Sequence, residues 1–219
     1  MKILVWMASL FFVCGTAFGD SSLDLKGYET ITFDDIPQTQ YSNKGSHLVA
    51  KVKQSSSVLL KPFSEKVSVK SVTVTWKTSG ELKVKTLDLH RTKAGDDAYF
   101  RVGLIISGPA PMVPFFAPAW IKKSKQVLKL PSDKMIYLTL GATVAPGKIW
   151  TNPYSGSIQG ASANRHLQDM EWTVSTFDLP KDTEIVGLWL FADGDNTKSS
   201  FEVEVKSIQL NSPENTQRL

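Results

Sequence analysis

Two adjacent carboxylates, Asp96 and Asp97, follow Gly95 and lead directly into a strongly β-prone segment. Neighbouring residues of a strand point to opposite faces, so the two cannot serve as the acid and the base of one reaction. A glycosidase needs two carboxylates roughly 5–10 Å apart across a gap, so each would require a distant partner. The carboxylates either cap backbone N–H groups of the turn, or Asp97 reaches a ligand cleft.

The strand that follows predicts a face shared by Tyr99, Arg101 and Gly103, with apolar residues on the opposite face. Arginine supplies forked hydrogen bonds, and an aromatic ring supplies an amphipathic stacking surface. Together with the bare glycine, these residues could form the floor of a saccharide site. The alternative is a solvated sheet face on which Arg101 pairs with Asp97.

A second candidate segment places Trp150 and Tyr154 on either side of Asn152 and Pro153. Two aromatic rings beside a turn can hold the faces of a pyranose ring. Loop aromatics can also fold back over the end of a β-sandwich, so both interpretations stay open. The predicted ligand-binding residues are Asp97, Tyr99, Arg101, Trp150, Asn152 and Tyr154.

The third segment, residues 193–197, resembles a fragment of a calcium-binding loop. Oxygen-bearing side chains at alternate positions suit a hard cation, so Asp193, Asp195 and Asn196 are the predicted metal ligands of a structural calcium. The usual 12-residue loop ends in a glutamate, whereas the twelfth position here, Glu204, lies within a predicted strand. The alternative is a hairpin turn without a metal.

Other catalytic chemistry is not indicated. The three histidines, His47, His90 and His166, are isolated and match no metal-binding spacing, and no nucleophile elbow is present. We find no signature of a nucleotide, haem or flavin, and therefore predict no cofactor apart from the calcium. The sequence predicts a protein that is not an enzyme, and a glycoside-active enzyme ranks lowest among the functions considered.

Residues 1–19 have the pattern of a Sec-type signal peptide. Lys2 precedes a short apolar segment, and small residues at 17 and 19 predict cleavage after Gly19. The apolar segment is too short for a transmembrane helix, and no later segment is long enough. Cys14, the only cysteine, would leave with the signal peptide, so we expect no disulfide in the mature chain. These features predict a periplasmic or secreted protein.

The charge pattern argues against nucleic acid as a partner. The net charge of the 219-residue chain is +4, and its basic residues are evenly spread. Binding of nucleic acid usually requires a basic face on which these residues are concentrated.

An alternation of apolar and polar residues, typical of β-strands, dominates the rest of the chain. Predicted strands cover residues 28–33, 47–53, 57–60, 67–76, 99–107, 135–141, 157–161, 171–177, 184–192 and 201–210. In the strands at 67–76 and 201–210 the apolar positions change parity, which predicts a β-bulge or a corner in each. This pattern favours an all-β, single-domain β-sandwich of jelly-roll type over residues 20–211, followed by a frayed polar tail at 212–219.

The proline-rich segment 109–133 does not fit the strand pattern. It contains Phe115, Phe116 and Trp120, followed by several lysines, and residues 119–128 could form a short helix. A segment of this length is either a lid that tucks its aromatic rings onto the core or a docking surface for a membrane or a protein partner.

The ordered set of these segments resembles a known family, the secreted bacterial domain-of-unknown-function family 3047. The resemblance rests on residues 92–97 with Arg101 and Val102, on residues 150–154 and on residues 193–197. It implies a galactose-binding-like jelly roll, the architecture of many carbohydrate-binding modules, and no established activity. We therefore expect an exported, non-catalytic saccharide- or glycan-binding protein. The alternative is an envelope-associated protein that docks on a membrane or partner through residues 113–125.

Overall fold

The computed structural model describes residues 23–84, 89, 91–111, 115–141, 147–163, 170–212 and 216–218. The predicted signal peptide lies outside these residues. Within them the chain forms eleven strands and one helix. Their bounds are β1 Glu29–Ile31, β2 Gln40–Lys44, β3 His47–Lys53, β4 Ser56–Glu81, β5 Ala98–Ser107, α1 Ala119–Val127, β6 Ser132–Leu140, β7 Ile149–Asn152, β8 Ser155–Ser162, β9 Thr173–Asp193, β10 Ser200–Asn211 and β11 Thr216–Arg218.

The strands form one continuous hydrogen-bonded sheet in the order β2-β3-β10-β4-β9-β5-β6-β8-β7, with β1 beside β4 and β11 beside β10. Every pairing is antiparallel except that of β6 with β8. The sheet is not closed into a barrel, and its layers pack face to face as an all-β sandwich. The rings of Tyr99 in β5 and Phe201 in β10, which are not paired strands, meet at 5.0 Å across the core.

The two predicted changes of parity are confirmed as irregularities in strand pairing. The register shifts between Val69 and Ser71 where β4 pairs with β9, and between Val205 and Ser207 where β10 pairs with β4. An extra residue on one strand reverses which side chains face inward. Val69 and Val72 therefore both lie in the main hydrophobic core despite their opposite parity.

The prediction of separate strands at 57–60 and 67–76 is wrong, since both belong to β4, which continues through Pro62. A proline lacks the N–H that a ladder requires, but the pairing with β9 is irregular between Pro62 and Val67. The strand thus passes the proline at a place where the ladder is already interrupted. The strands predicted at 171–177 and 184–192 are likewise one strand, β9. The predicted tail contains β11, which pairs with β10 next to Asn211.

The helix predicted in the proline-rich segment is confirmed as α1. Its Trp120 packs on a second, smaller hydrophobic cluster, which lies outside the main core and contains Val58, Ile105 and Trp189. Gly187 allows close approach here, because a Cβ at that position would lie 2.8 Å from the Lys61 carbonyl oxygen and 3.3 Å from the Leu128 side chain. Within the described part of the chain, no helix has the length and apolarity needed to span a membrane.

Candidate functional site

A cleft opens on the sheet face that α1 partly covers, and β5 forms the middle of its floor. Arg101 of β5 pairs with Phe191 of β9, and Gly103 lies between Trp189 of β9 and Tyr137 of β6. These residues are cross-strand neighbours, so their side chains share one face of the sheet. At Gly103 a Cβ would lie 2.9 Å from the Cβ of Trp189, so any side chain here would displace the floor.

Aromatic rings from distant parts of the chain pack against Trp189 and Phe191 of the floor and form the aromatic wall of the cleft with them. Phe33 follows β1 and contacts Trp120 of α1 edge-on at 5.9 Å and Phe191 at 5.8 Å between ring centroids. Trp120 in turn meets Trp189 at 6.0 Å. The cleft as a whole has a volume of about 370 Å³, and its apolar surface is completed by Ile36, Pro118, Met135 and Ile158.

Arg101 forms the centre of the polar end of the cleft. Its side chain is only 2% exposed, and its two terminal nitrogens donate to Asp96 Oδ1 at 2.7 Å and to Asp193 Oδ2 at 3.1 Å. The guanidinium lies 5.1 Å from the centre of the Tyr137 ring and 5.3 Å from that of Phe191. Two carboxylates and two rings therefore hold its position.

Asn152 and Tyr154 extend the polar end toward the mouth of the cleft. The Asn152 amide donates to Asp96 Oδ2 at 3.3 Å and to the Tyr137 hydroxyl at 3.0 Å. Its own oxygen accepts the backbone N–H of Tyr154 at 2.9 Å, which fixes the turn after β7. The Tyr154 side chain is 53% exposed and lines the mouth, where it can contact a ligand.

Burial and the charge of Arg101 are the main influences on the pKa values of the carboxyl groups at the polar end of the cleft. Burial raises the pKa of Asp193 well above its ordinary value, and Arg101 offsets only part of the rise. Burial also raises the pKa of Asp96, against the lowering effect of Arg101. Burial alone would lower the pKa of Arg101, but Asp96, Tyr137 and Asp193 raise it above its ordinary value, so the guanidinium stays charged.

Asp97 lies beside this site but has a different role. It is fully buried and accepts the backbone N–H groups of Asn196 at 3.2 Å and of Thr197 at 2.7 Å, as well as the Thr197 hydroxyl. Of the two adjacent carboxylates, it is Asp96 that lines the cleft and pairs with Arg101. The capping interpretation therefore describes Asp97, which holds the turn between β9 and β10.

Two predicted ligand-binding residues point elsewhere. An irregularity in pairing between Ala98 and Arg101 turns Tyr99 into the main core, where its hydroxyl bonds to backbone atoms of Gly80 and Leu82. Trp150 is 7% exposed and packs edge-on behind Tyr137 at 6.3 Å. The ring of Trp150 thus supports the cleft from behind without lining it.

The predicted metal ligands come together only in part. Carboxylate oxygens of Asp97, Asp193 and Asp195 lie within 4.8 Å of one another, whereas Asn196 is an exposed residue at the mouth of the cleft. Calcium takes six to eight oxygen ligands. Both oxygens of Asp97 already accept hydrogen bonds, and Arg101 places a positive charge against Asp193. The described residues therefore fit calcium poorly, and the structural calcium stays a prediction.

Six predicted site residues do gather in the cleft: Arg101, Asn152, Tyr154, Asp193, Asp195 and Asn196. Of the two adjacent carboxylates, the sequence pattern favoured Asp97 over Asp96 as the cleft residue, and it did not single out Phe33, Tyr137 or Trp189 as site residues. The signal in the sequence that could have identified Tyr137 is its spacing of two residues from Met135, which places both side chains on one face of β6. Such alternation assigns a face to each side chain but leaves open which strands are neighbours.

Residues 26–209 match the family described as "Protein of unknown function (DUF3047)". No curated protein matches the chain significantly. The family match extends from just before β1 to within two residues of the end of β10, and it includes every segment of the cleft. The chain therefore belongs to the DUF3047 family.

Proposed function

We propose that this protein is an exported, non-catalytic carbohydrate-binding protein that holds a saccharide in the cleft described above. One observation supports this function above all others. Aromatic side chains and hydrogen-bonding groups from seven separate segments converge on the same cavity. Sugar rings have apolar faces and polar edges, so they need such an amphipathic environment.

The size and build of the cavity agree with this proposal. Its volume of about 370 Å³ lies in the range of roughly 300–1,000 Å³ that is typical of small-ligand pockets. Phe33, Trp120 and Trp189 provide apolar surface for a sugar ring. Tyr154, at the other end, offers a phenol for hydroxyl groups of a sugar.

A binding role is favoured over catalysis because Arg101 engages both buried carboxylates that line the cleft, Asp96 and Asp193. Asp96 and Asp193 both accept hydrogen bonds from Arg101, so they lie at one end of the cleft. A glycosidase needs its acid and its second carboxylate on opposite sides of the scissile bond. Asp97 is occupied by the backbone of the following turn.

The binding function predicts a clear effect for Tyr154→Ala. Because this ring is half-exposed and lines the mouth, its loss should leave the fold intact but weaken saccharide binding by about tenfold, or about 1.4 kcal/mol. The purified protein is screened on a glycan array, and the best ligand is titrated by calorimetry with and without EDTA. Loss of binding in EDTA would support the predicted calcium.

Trp172→Ala is the matched control for this test, since Trp172 is 41% exposed and does not line the cleft. Its affinity should equal that of the unchanged protein. If the unchanged protein, Tyr154→Ala and Trp172→Ala bound the saccharide with equal affinity, the saccharide would have to bind outside this cleft. Failure to bind any member of a broad glycan set would contradict the function itself.

A second candidate function has its own observation. Phe115 and Phe116, which precede α1, are 94% and 87% exposed, and Lys122 donates to the Phe115 carbonyl and lies 5.3 Å from the centre of its ring. Adjacent exposed aromatics with lysines suit the interface of an anionic membrane. Trp120, predicted to share this surface, is half-buried and lines the cleft.

This second function predicts that a Phe115→Ala, Phe116→Ala double variant loses binding to vesicles. Insertion of one phenylalanine contributes about 1.5–3 kcal/mol, so the double change should lower the affinity for phosphatidylglycerol vesicles by more than tenfold. Co-sedimentation measures the effect, with phosphatidylcholine vesicles and Trp172→Ala as controls. Absence of vesicle binding by the unchanged protein would reject the function, and the saccharide affinity of the double variant should be unaffected.

A further inference from the structure

We propose that the ligand of the cleft carries a positively charged amine, so that its class is an amino sugar with a free ammonium group. This inference rests on the saccharide-binding function proposed above and defines its substrate class. It follows from the balance of charge along the cleft, from the atoms left without partners and from the aromatic walls.

Carboxylates outnumber basic groups along the cleft. Among the described residues that line it, four are acidic, namely Asp34, Asp96, Asp193 and Asp195, and Arg101 is the single basic one. An anionic sugar would be repelled by this arrangement, whereas a cationic group would be attracted.

Arg101 does not leave a free positive charge for an acidic ligand. Its terminal nitrogens are bound by Asp96 and Asp193, and its side chain is 2% exposed between the rings of Tyr137 and Phe191. Asp34 and Asp195, in contrast, form no ion pair with any described residue. Asp34 is exposed and Asp195 is half-buried, so both are within reach of a ligand.

One buried atom points directly to a missing donor. Asp193 is 3% exposed, and its Oδ1 has no hydrogen-bond partner among the described residues. Oxygens of Asp97 and Asp195 lie within 4.8 Å of this carboxylate group. Burial and Arg101 have the largest effects on the pKa of Asp193. Asp195 and Asp97 have smaller effects, and both raise this pKa. An ammonium group donates up to three hydrogen bonds and would relieve this crowding of acceptors.

The aromatic walls distinguish an organic cation from a metal ion. Aromatic rings attract ammonium groups through their faces, and this cleft already holds one guanidinium between two rings. A calcium ion requires oxygen ligands around it and gains nothing from Phe33, Trp120 or Trp189. A sugar that carries an amine uses both halves of the cleft, since its ring faces the aromatic wall and its ammonium group faces the acidic end.

The test compares three oligosaccharides that share one β-1,4-linked backbone. Chito-oligosaccharides with free amines, their N-acetylated counterparts and neutral cello-oligosaccharides are titrated by calorimetry at about pH 6, below the pKa of an amine of this kind. We expect the free-amine form to bind at least tenfold more tightly than the other two. Its affinity should fall as salt is added and should be insensitive to EDTA.

Two variants assign the preference to the cleft. Asp195→Asn removes a carboxylate that has no ion pair with a described residue, and it should reduce the preference for the amine to less than threefold. Asp178→Asn is the control, because Asp178 is exposed in β9 and does not line the cleft. It should preserve the tenfold preference.

The outcomes separate this inference from the function on which it rests. Equal or tighter binding of the N-acetylated or neutral form would overturn the amine but support the saccharide function. A preference that persists in Asp195→Asn, or one that requires calcium, would also overturn the inference. Binding of none of the three, nor of any sugar on the wider array, would overturn the saccharide function itself.

Discussion

Replacing Arg101 with methionine is expected to destabilise the fold by about 3–5 kcal/mol at neutral pH, because it leaves two buried carboxylates without their counter-charge. Asp96 and Asp193 both accept hydrogen bonds from the guanidinium, and each is less than a tenth exposed. The methionine side chain keeps much of the apolar contact with Tyr137 and Phe191, so the loss reports mainly on charge. Urea unfolding measures it directly.

The loss should depend on pH with a definite sign. Burial already raises the pKa values of Asp96 and Asp193, and Arg101 works against this effect in both. Without Arg101 the folded-state pKa values rise further, so the folded state binds more protons than the unfolded state above about pH 4. A buried carboxyl group with a raised pKa destabilises the fold increasingly as the pH rises above about 4. The variant should therefore recover much of its stability relative to the unchanged protein as the pH falls from about 7 toward 4.

Lys70→Met provides the matched control, since Lys70 is exposed on β4. It should change the stability by no more than about 0.5 kcal/mol at any pH. A loss of less than about 1 kcal/mol for Arg101→Met, or a loss that is the same at both pH values, would show that the ion pairs do not stabilise the fold as described.

Replacing Asp97 with alanine is expected to cost about 2–4 kcal/mol, because one carboxylate satisfies three donors of the turn after β9. These are the N–H groups of Asn196 and Thr197 and the Thr197 hydroxyl. Hydrogen bonds to a charged group contribute about 1.5–3 kcal/mol each and are not additive within one network. The same turn places Asp195 and Asn196 in the cleft, so saccharide affinity should also fall although Asp97 does not line it.

The neighbouring variant Asp195→Ala separates the two roles. Asp195 lies in the same turn but forms no ion pair with a described residue, so its loss should change stability by less than about 0.5 kcal/mol. Asp97→Asn retains one acceptor and should recover part of the stability lost in Asp97→Ala. If Asp97→Ala were as stable as Asp195→Ala in urea unfolding, the assignment of Asp97 as the turn's anchor would be wrong.

Local patterns predicted a large part of the fold. The alternation of apolar residues located most strands, and the changes of parity near Val69 and Val205 correctly predicted two irregularities. These features are readable because the face that a strand residue presents depends on its position relative to its neighbours. The short helix predicted within residues 119–128 is also confirmed, as α1.

The composition of the cleft required information that no single segment contains. Tyr99 and Arg101 have the same parity, yet the irregularity after Ala98 separates them, because it arises where β5 pairs with the distant β9. The choice between Asp96 and Asp97 depends on the same pairing, which brings Asp193 to Arg101 and the turn at Asn196 to Asp97.

The sequence by itself thus determined most of the strands, though not β2, β7 or β11. It also determined how their side chains alternate and which loops contain the polar and aromatic residues. Only the tertiary structure decided that Phe33, Trp120 and Trp189 form one wall and that Trp150 lies behind Tyr137. The physical reason is that strand order and register arise from pairing between residues far apart in the chain. A local pattern predicts which face of the sheet each side chain occupies. Whether that face forms a binding site depends on the side chains of the neighbouring strands, which the pattern does not identify.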